Sequence, residues 1–314
     1  MKLAIVGNGA FGHKHLEALQ NIEDVEVVNV VGTNNERTKK TADKFGIPAY
    51  TTNFQDILDD DSIDGAIIAS PTQIHAQQAI ALMRAGKHVM IEIPMADSLK
   101  DSKEIVEVQK QTGVVAMAGH TRRFNPSHQW IHNKIKAGEL KVQQMDIQTY
   151  FFRRENLNAL GEARSWTDHL LWHHACHSVD LFAYQTGEKI IQTQAMQGVI
   201  HKDLGIALDM SIGLKSESGA LCTLSLSFNN DGPFGTFFRY ICDKGTYLAR
   251  YDDLLDGREN PIDVSKVDVS LNGIELQDRE FINAIRENRK PNASVEDALY
   301  AMEILDKLEK QLNT

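Results

Sequence analysis

The segment LAIVGNGAFGHKHLEAL, residues 3–19, constrains the fold more than any other stretch of the chain. Its apolar start, LAIVG, reads as a buried strand, and His15, Leu16 and Leu19 then recur at helical spacing. Gly7, Gly9 and Gly12 therefore stand at a strand-to-helix turn spaced G-x-G-x-x-G. Each has a physical task there: the first glycine permits the tight bend, the second lets a pyrophosphate approach the backbone, and the third lets helix and strand pack closely. The helix start, with Ala10 and Phe11, offers unpaired amides and the positive end of a dipole to the phosphates. A dinucleotide site at the head of a parallel sheet is the expectation.

The next hundred residues keep that cadence. VEVVNVVG (25–32) is a second strand, KTADKFGIP a helix stopped at Gly46 and Pro48, and GAIIAS (65–70) a third strand. Helix QIHAQQAIALMRAGK (73–87) follows, then strands HVMIEI and VVAMAGH (114–120). Strand and helix in alternation imply a doubly wound parallel sheet, whose ligands lie beyond the carboxyl ends of the strands. Those ends carry GNGAFG, SPT, EIP and GH, which brings Ser70, Pro71, Thr72, Glu92, Ile93 and His120 in as candidate cofactor contacts.

After about residue 121 the pattern changes. KVQQMDIQTYFF (141–152) is a longer strand, and IALDMSIGLKS joins GALCTLSLSF through SESG as a hairpin. In the first arm Ile206, Leu208, Met210, Ile212 and Leu214 alternate with Ala207, Asp209, Ser211 and Gly213, so one face is core and the other meets solvent or another subunit. The sequence thus predicts an α/β chain of two domains. Residues 1–121 form the dinucleotide-binding domain; 122–314 form an α+β domain with an open, largely antiparallel sheet, closed by an amphipathic helix over about 294–313.

Composition narrows the function classes. A net charge of −10 argues against nucleic-acid or anionic-membrane surfaces, leaving room only for a local basic pocket. Cys176, Cys222 and Cys242 are an odd number without a C-x-x-C pair, which fits neither a disulfide framework nor a zinc knuckle and suits the cytoplasm. No apolar run reaches transmembrane length, and the N-terminal one is too short for a signal peptide.

Three further features carry chemistry. An NAD site usually ends its second strand in an acid that binds the ribose hydroxyls, but this chain has Gly32, Thr33, Asn34 and Asn35, with Arg37 following. Thr33, Asn34 and Arg37 can receive a 2′-phosphate, so NADP is favoured and NAD remains open. In SWTDHLLWHHACHSVD (165–180), a helix over 167–182 would set His169, His173, His177 and Asp180 on one face. That face suits proton transfer, with a partner fixing a histidine tautomer; a zinc site and a merely polar helix face are the alternatives. Paired guanidinium groups, Arg122 with Arg123 and Arg153 with Arg154, suit capture of carboxylates, though any one of them can equally be a solvated surface residue.

Taken in order, Gly7 to Gly12, SPTQIH (70–75), GKHVMIEIP (86–94), GHTRRFNP (119–126) and HHACHSVD (173–180) resemble the Gfo/Idh/MocA oxidoreductases nearly end to end. The resemblance implies an NAD(P)-dependent enzyme with a Rossmann domain, His75 and Glu92 near the cofactor, and a C-terminal open sheet that makes dimer or tetramer contacts. In that family a strand ends in Glu-Lys-Pro and a later helix carries Asp-x-x-x-His, the three polar groups serving proton transfer. Ile93 stands here in place of the lysine and His173 in place of the aspartate; His177 alone matches.

EIP, TYFFRRENLNA, SWTDHLLWHH and SLSFNNDGPFGTFFRYIC also resemble one branch of the family. That likeness implies NADP-linked oxidation of the cyclic hemiacetal of a protocatechuate ring-cleavage product to a pyrone dicarboxylate. A hemiacetal hydroxyl is more acidic than a sugar hydroxyl and needs less help. On this reading His173 or His177 takes the proton, His169 or Asp180 orients it, and Ile93 presents an apolar edge. Arg122, Arg123, Arg153, Arg154, His173 and His174 contact a small anionic substrate, and no metal is required. A dehydrogenase of sugars or sugar acids and a non-catalytic NAD(P)-binding sensor are the rival readings.

Overall fold

The computed structural model describes residues 1–157, 161, 167–265 and 273–313. The chain divides into two compact units, residues 1–120 with 274–299, and residues 121–273 with 300–314.

The first unit is built on six parallel strands: β1 (Lys2–Val6), β2 (Glu26–Val31), β3 (Ala49–Thr51), β4 (Gly65–Ile68), β5 (His88–Ile91) and β6 (Ala116–Ala118). Their order in the sheet is β3-β2-β1-β4-β5-β6, so the chain reverses direction across the sheet between β1 and β4. Leu3, Ile5, Ile67, Ile68, Met90 and Ile91 are fully buried, as a sheet covered on both faces requires. Each such side chain contributes roughly 1.5–3 kcal/mol of burial. The helices between strands are α1 (Ala10–Leu19), α2 (Asn35–Phe45), the short α3 (Gln55–Asp59), α4 (His75–Arg84) and α5 (Leu99–Thr112). Helix α2 stops at Gly46, which takes the left-handed conformation at φ 67° as the stop signal implied. No periodicity announced α5; Ser98 caps it by accepting the Asp101 amide, and Ile105, Val106 and Val108 turn inward.

In the second unit α6 (Pro126–Lys136) precedes β7 (Val142–Tyr150), and α7 (Cys176–Thr186) precedes six strands. These are β8 (Ile190–Gln197), β9 (Asp209–Ser216), β10 (Leu221–Ser227), β11 (Gly235–Cys242), β12 (Gly245–Arg250) and β13 (Asp253–Asp256). They form a seven-stranded sheet, β13-β12-β11-β7-β10-β9-β8, antiparallel except where β7 runs parallel to β10. Beta-strands β9 and β10 form the expected hairpin. One register row across the sheet is Ala195, Ile212, Leu224, Ile147 and Phe238; its neighbour is Gln194, Gly213, Thr223, Asp146 and Arg239. The first row is the core face and the second is open, because a strand's side chains alternate. Ala207 departs from the alternation: it lies before β9, bridged to Ile200, and is buried.

The chain's last two helices are α8 (Gly273–Arg286) and α9 (Val295–Leu312), the latter close to the expected span. The sequence carried no sign that residues 274–299 rejoin the first unit.

Candidate active site

The turn between β1 and α1 has the geometry a pyrophosphate needs. Gly7 is at φ 111°, and a Cβ there would stand 2.4 Å from the Ala69 carbonyl oxygen. A Cβ on Gly12 would come within 1.9 Å of the Gly7 carbonyl oxygen, so the helix can lie this close only without one. Gly9 is the opposite case: nothing lies within 4 Å of where its Cβ would be, and no side chain caps the first amides of α1 there. Open space beside unsatisfied helix amides is what phosphate binding requires, so these residues fit a dinucleotide. Phe11 is half-exposed at the mouth of the turn, with the Lys14 ammonium over its ring at 4.7 Å.

No carboxylate ends β2. Asn34 caps α2 by accepting the Arg37 amide at 2.9 Å, and the Thr38 hydroxyl donates to the Asn34 carbonyl at 2.6 Å. Asn8 in turn donates to Thr38 at 3.2 Å. Thr33 and Asn34 stay exposed and Arg37 partly so. The loops after β4 and β5 are tied by His75, whose Nε2 is 2.8 Å from the Ser70 carbonyl and whose Nδ1 is 3.0 Å from the Pro94 carbonyl. Ser70 itself donates to Gln78 at 2.6 Å, while Thr72 and His120 are buried.

Glu92 does not stand alone at the end of its strand. His15 Nε2 is 3.0 Å from its Oε1, and Gln277 donates to the same oxygen at 3.3 Å. On its other side His15 Nδ1 meets both carboxylate oxygens of Asp278, at 2.9 and 3.0 Å. Burial alone would lower the imidazole's pKa, but Asp278 and Glu92 overcome it and push it up to about 10. Burial would likewise raise the Glu92 carboxyl, and His15 overrides that and holds it below the usual range. Asp278, for which burial dominates, stays above it. The result is a buried row of carboxylate, imidazolium and carboxylate that fixes the EIP turn, with Ile93 partly exposed beside it. Helical spacing places His15 on the packing face of α1 but carries no sign of its partner Asp278 on α8.

In the second unit the histidine segment is not one continuous α-helix, which corrects the expectation for 167–182. His169 is extended at φ −113° and ψ 131°, Leu170–Ala175 form a wider π-type turn, and α7 begins only at Cys176. His169 therefore lies before the helical face, not on it. Its Nδ1 accepts the Leu171 amide at 3.2 Å, and its own amide donates to His173 Nδ1 at 3.0 Å. From Leu170 to Phe182 every residue is buried except His173, His174 and His177. Burial pushes His173 down to about 4 against the opposing pull of Asp168, and burial also lowers His169. Both rings are thus neutral near pH 7.

Two of the four candidate arginines pair with carboxylates. Arg123 Nε and Nη2 bind the two oxygens of buried Asp180 at 2.8 and 2.6 Å, and its guanidinium lies 4.7 Å from the Tyr184 ring centre. This fork ties the segment after β6 to α7. Arg153 Nη2 reaches Asp168 at 2.5 Å, over the Phe228 ring at 4.9 Å; His174 Nε2 is 3.8 Å from the same carboxylate and packs edge-on to Phe228. Nothing in the sequence singles out Asp168, because a lone acid has no period to betray it. Arg154 is exposed over Phe152 and donates to the Arg153 and Phe228 carbonyls. Arg122 lies over Tyr251 at 4.7 Å and donates to Asn125 at 3.3 Å. Among the described residues no three His, Cys, Asp or Glu side chains converge as metal ligands.

Residues 1–120 match the oxidoreductase family with an NAD-binding Rossmann fold, and residues 126–268 match the C-terminal domain of bacterial oxidoreductases. Over 312 residues the chain is 63% identical to the 4-carboxy-2-hydroxymuconate-6-semialdehyde dehydrogenase of Sphingobium sp. strain SYK-6, covering 99% of each. The chain belongs to the Gfo/Idh/MocA oxidoreductase family. It is an NAD(P)-dependent dehydrogenase. A more distant relative, the NAD(+) scyllo-inositol 2-dehydrogenase of Bacillus subtilis, is 31% identical over 141 residues, 45% of this chain and 41% of that one. Levoglucosan dehydrogenase, solved with NADH, superposes with a TM-score of 0.87 over 100% of this chain and 97% of its own, at 18% identity. That likeness shows the shared fold. Among the described residues no helix is long and apolar enough to cross a membrane.

Proposed function

We propose that the enzyme oxidises the cyclic hemiacetal of 4-carboxy-2-hydroxymuconate-6-semialdehyde to 2-pyrone-4,6-dicarboxylate, in the protocatechuate 4,5-cleavage route, with NADP as oxidant. The identity to the Sphingobium enzyme over 99% of both chains carries the reading. Ring carbon loses hydride, the hemiacetal hydroxyl loses its proton, and a lactone carbonyl forms. The bound nicotinamide supplies the hydride acceptor at C4. His177 takes the proton, because the neutral ring of His173 has its Nδ1 occupied by the His169 amide. Arg153, with Arg122 and Arg154, binds the substrate carboxylates; the phenyl faces of Phe151 and Phe228 around His174 suit a flat ring. Arg123 and Asp180 hold α7 in place beneath His177.

Thr33, Asn34 and Arg37, with no acid at the end of β2, support NADP over NAD. The open face of the second sheet, with exposed Met196 and Leu221, is the surface we assign to a homodimer or homotetramer in the cytoplasm. A cofactor-by-substrate screen tests the activity: NADP or NAD with enzymatically ring-cleaved protocatechuate, against a panel of inositols and sugar acids. Reduction confined to the ring-cleaved aldehyde supports the reading; turnover of the polyols alone would replace it.

A further inference from the structure

Tyr251 stands in the turn between β12 and β13 with its backbone in the left-handed region, at φ 52°. For a bulky side chain that is an outlier, and such strain persists only where the surroundings over-determine it. They do so here. The Tyr251 carbonyl accepts the Ser127 hydroxyl, and Asp252 accepts the Asn125 side-chain amide at 3.0 Å, so the turn is fastened to the start of α6. The phenol end is confined as well: a Cβ on Gly235 would stand 2.9 Å from the Tyr251 hydroxyl oxygen. Glycine or asparagine would take this backbone at lower cost, yet a tyrosine 38% exposed occupies it. What the ring gains is a cation. The Arg122 guanidinium lies 4.7 Å from its centre and 5.9 Å from that of Phe238. Arg122 donates to Asn125 Oδ1 at 3.3 Å, and among the described residues no carboxylate pairs with it, unlike Arg123 and Arg153. Asp252 acts on it from farther off, against a burial that lowers its pKa.

We propose that Tyr251 is a specificity residue whose hydroxyl donates to the substrate carboxylate that Arg122 attracts. The two groups are side by side, both can donate, and the cation has no acid of its own paired with it. A carboxylate offers only acceptors, so one of its oxygens meets the guanidinium while the other meets the phenol. A sugar ring offers donors and acceptors alike and draws less on the pair. The inference rests on the proposed substrate, since it extends the carboxylate role of Arg122 to a second donor.

Calorimetric binding to the enzyme mixed with NADP tests it without turnover, with benzene-1,3-dicarboxylate as a flat probe of two carboxylates and benzoate as its counterpart with one. Tyr251→Phe keeps the ring on Arg122 and removes the hydroxyl. It is expected to lose about tenfold or more in affinity for the dicarboxylate and at most about threefold for benzoate, which can use the Arg153 end. Tyr251→Asn suits the left-handed backbone, so it should unfold at the same or a higher denaturant concentration than wild type while losing at least as much dicarboxylate affinity. In steady-state kinetics on the hemiacetal both losses should fall mainly on KM. Equal losses on the two probes, or a Tyr251→Asn protein that is destabilised yet binds the dicarboxylate like wild type, would make the tyrosine a packing residue and overturn the proposal. Wild-type protein that binds neither probe overturns it too. Wild-type protein that binds the dicarboxylate with the expected dependence on Tyr251 but leaves the hemiacetal unoxidised would instead sink the substrate assignment, with the carboxylate site left standing.

Discussion

Replacing His15 with leucine should weaken the first unit severely, although His15 lies in no catalytic motif. The ring makes charge-assisted contacts to Glu92 at 3.0 Å and to Asp278 at 2.9 Å, all three groups being buried. Each such bond is worth about 1.5–3 kcal/mol, and removing one partner from a buried charged set typically costs about 3–5 kcal/mol, because the remaining charges are left in a medium that solvates them poorly. His15→Leu leaves two buried carboxylates without the cation between them, so a loss of about 3–5 kcal/mol is expected, a fall on the order of 10 °C in thermal midpoint. Denaturant unfolding by fluorescence, with and without cofactor, measures it. The double variant His15→Leu with Asp278→Leu should recover more than half the loss, since apolar replacement of both partners removes the stranded charge. The sign with pH is also fixed. A ring raised from 6.5 to about 10 on folding contributes fully below its ordinary pKa, progressively less above it, and nothing once the pH has passed about 10. The gap between wild type and His15→Leu should therefore close on the alkaline side. A single variant within about 1 kcal/mol of wild type at pH 6, or a gap that widens toward pH 10, would refute the reasoning.

Three other outcomes follow from the site. His177→Asn should lower kcat by about 10²–10⁴ with cofactor affinity unchanged, and a full-rate variant removes His177 as the base. Arg153→Ala should lower kcat/KM about ten- to a hundredfold, mainly through KM; steady-state kinetics showing a loss in kcat alone would argue against carboxylate binding. Thr33→Asp, which restores an acid at the end of β2, should weaken NADP by at least about tenfold and spare NAD, measured by fluorescence titration, and equal losses for both would remove this position from cofactor choice.

The parts legible in the sequence were those set by neighbours along the chain. The glycine turn, the hairpin across β9 and β10 and the stop of α2 follow from local sterics and from side-chain alternation, and each stands as the pattern implies. What escaped was pairing between distant segments. His15 meets Asp278 across 263 residues and Arg123 meets Asp180 across 57, and a periodicity shows which face is buried without naming what it meets. The π-type turn at Leu170–Ala175 escaped for another reason: its amides are satisfied by histidine rings at 169 and 173, an unusual cap that a search for Ser, Thr, Asp or Asn passes over. That turn moves His169 off the helical face.

The most direct measurement follows both products of one reaction. Purified enzyme is mixed with NADP and ring-cleaved protocatechuate, reduced nicotinamide is followed by near-ultraviolet absorbance, and the organic product is identified by mass spectrometry. The account expects equal amounts of NADPH and 2-pyrone-4,6-dicarboxylate. Cofactor that binds yet is never reduced, or reduction that yields an open-chain acid in place of the lactone, would contradict it.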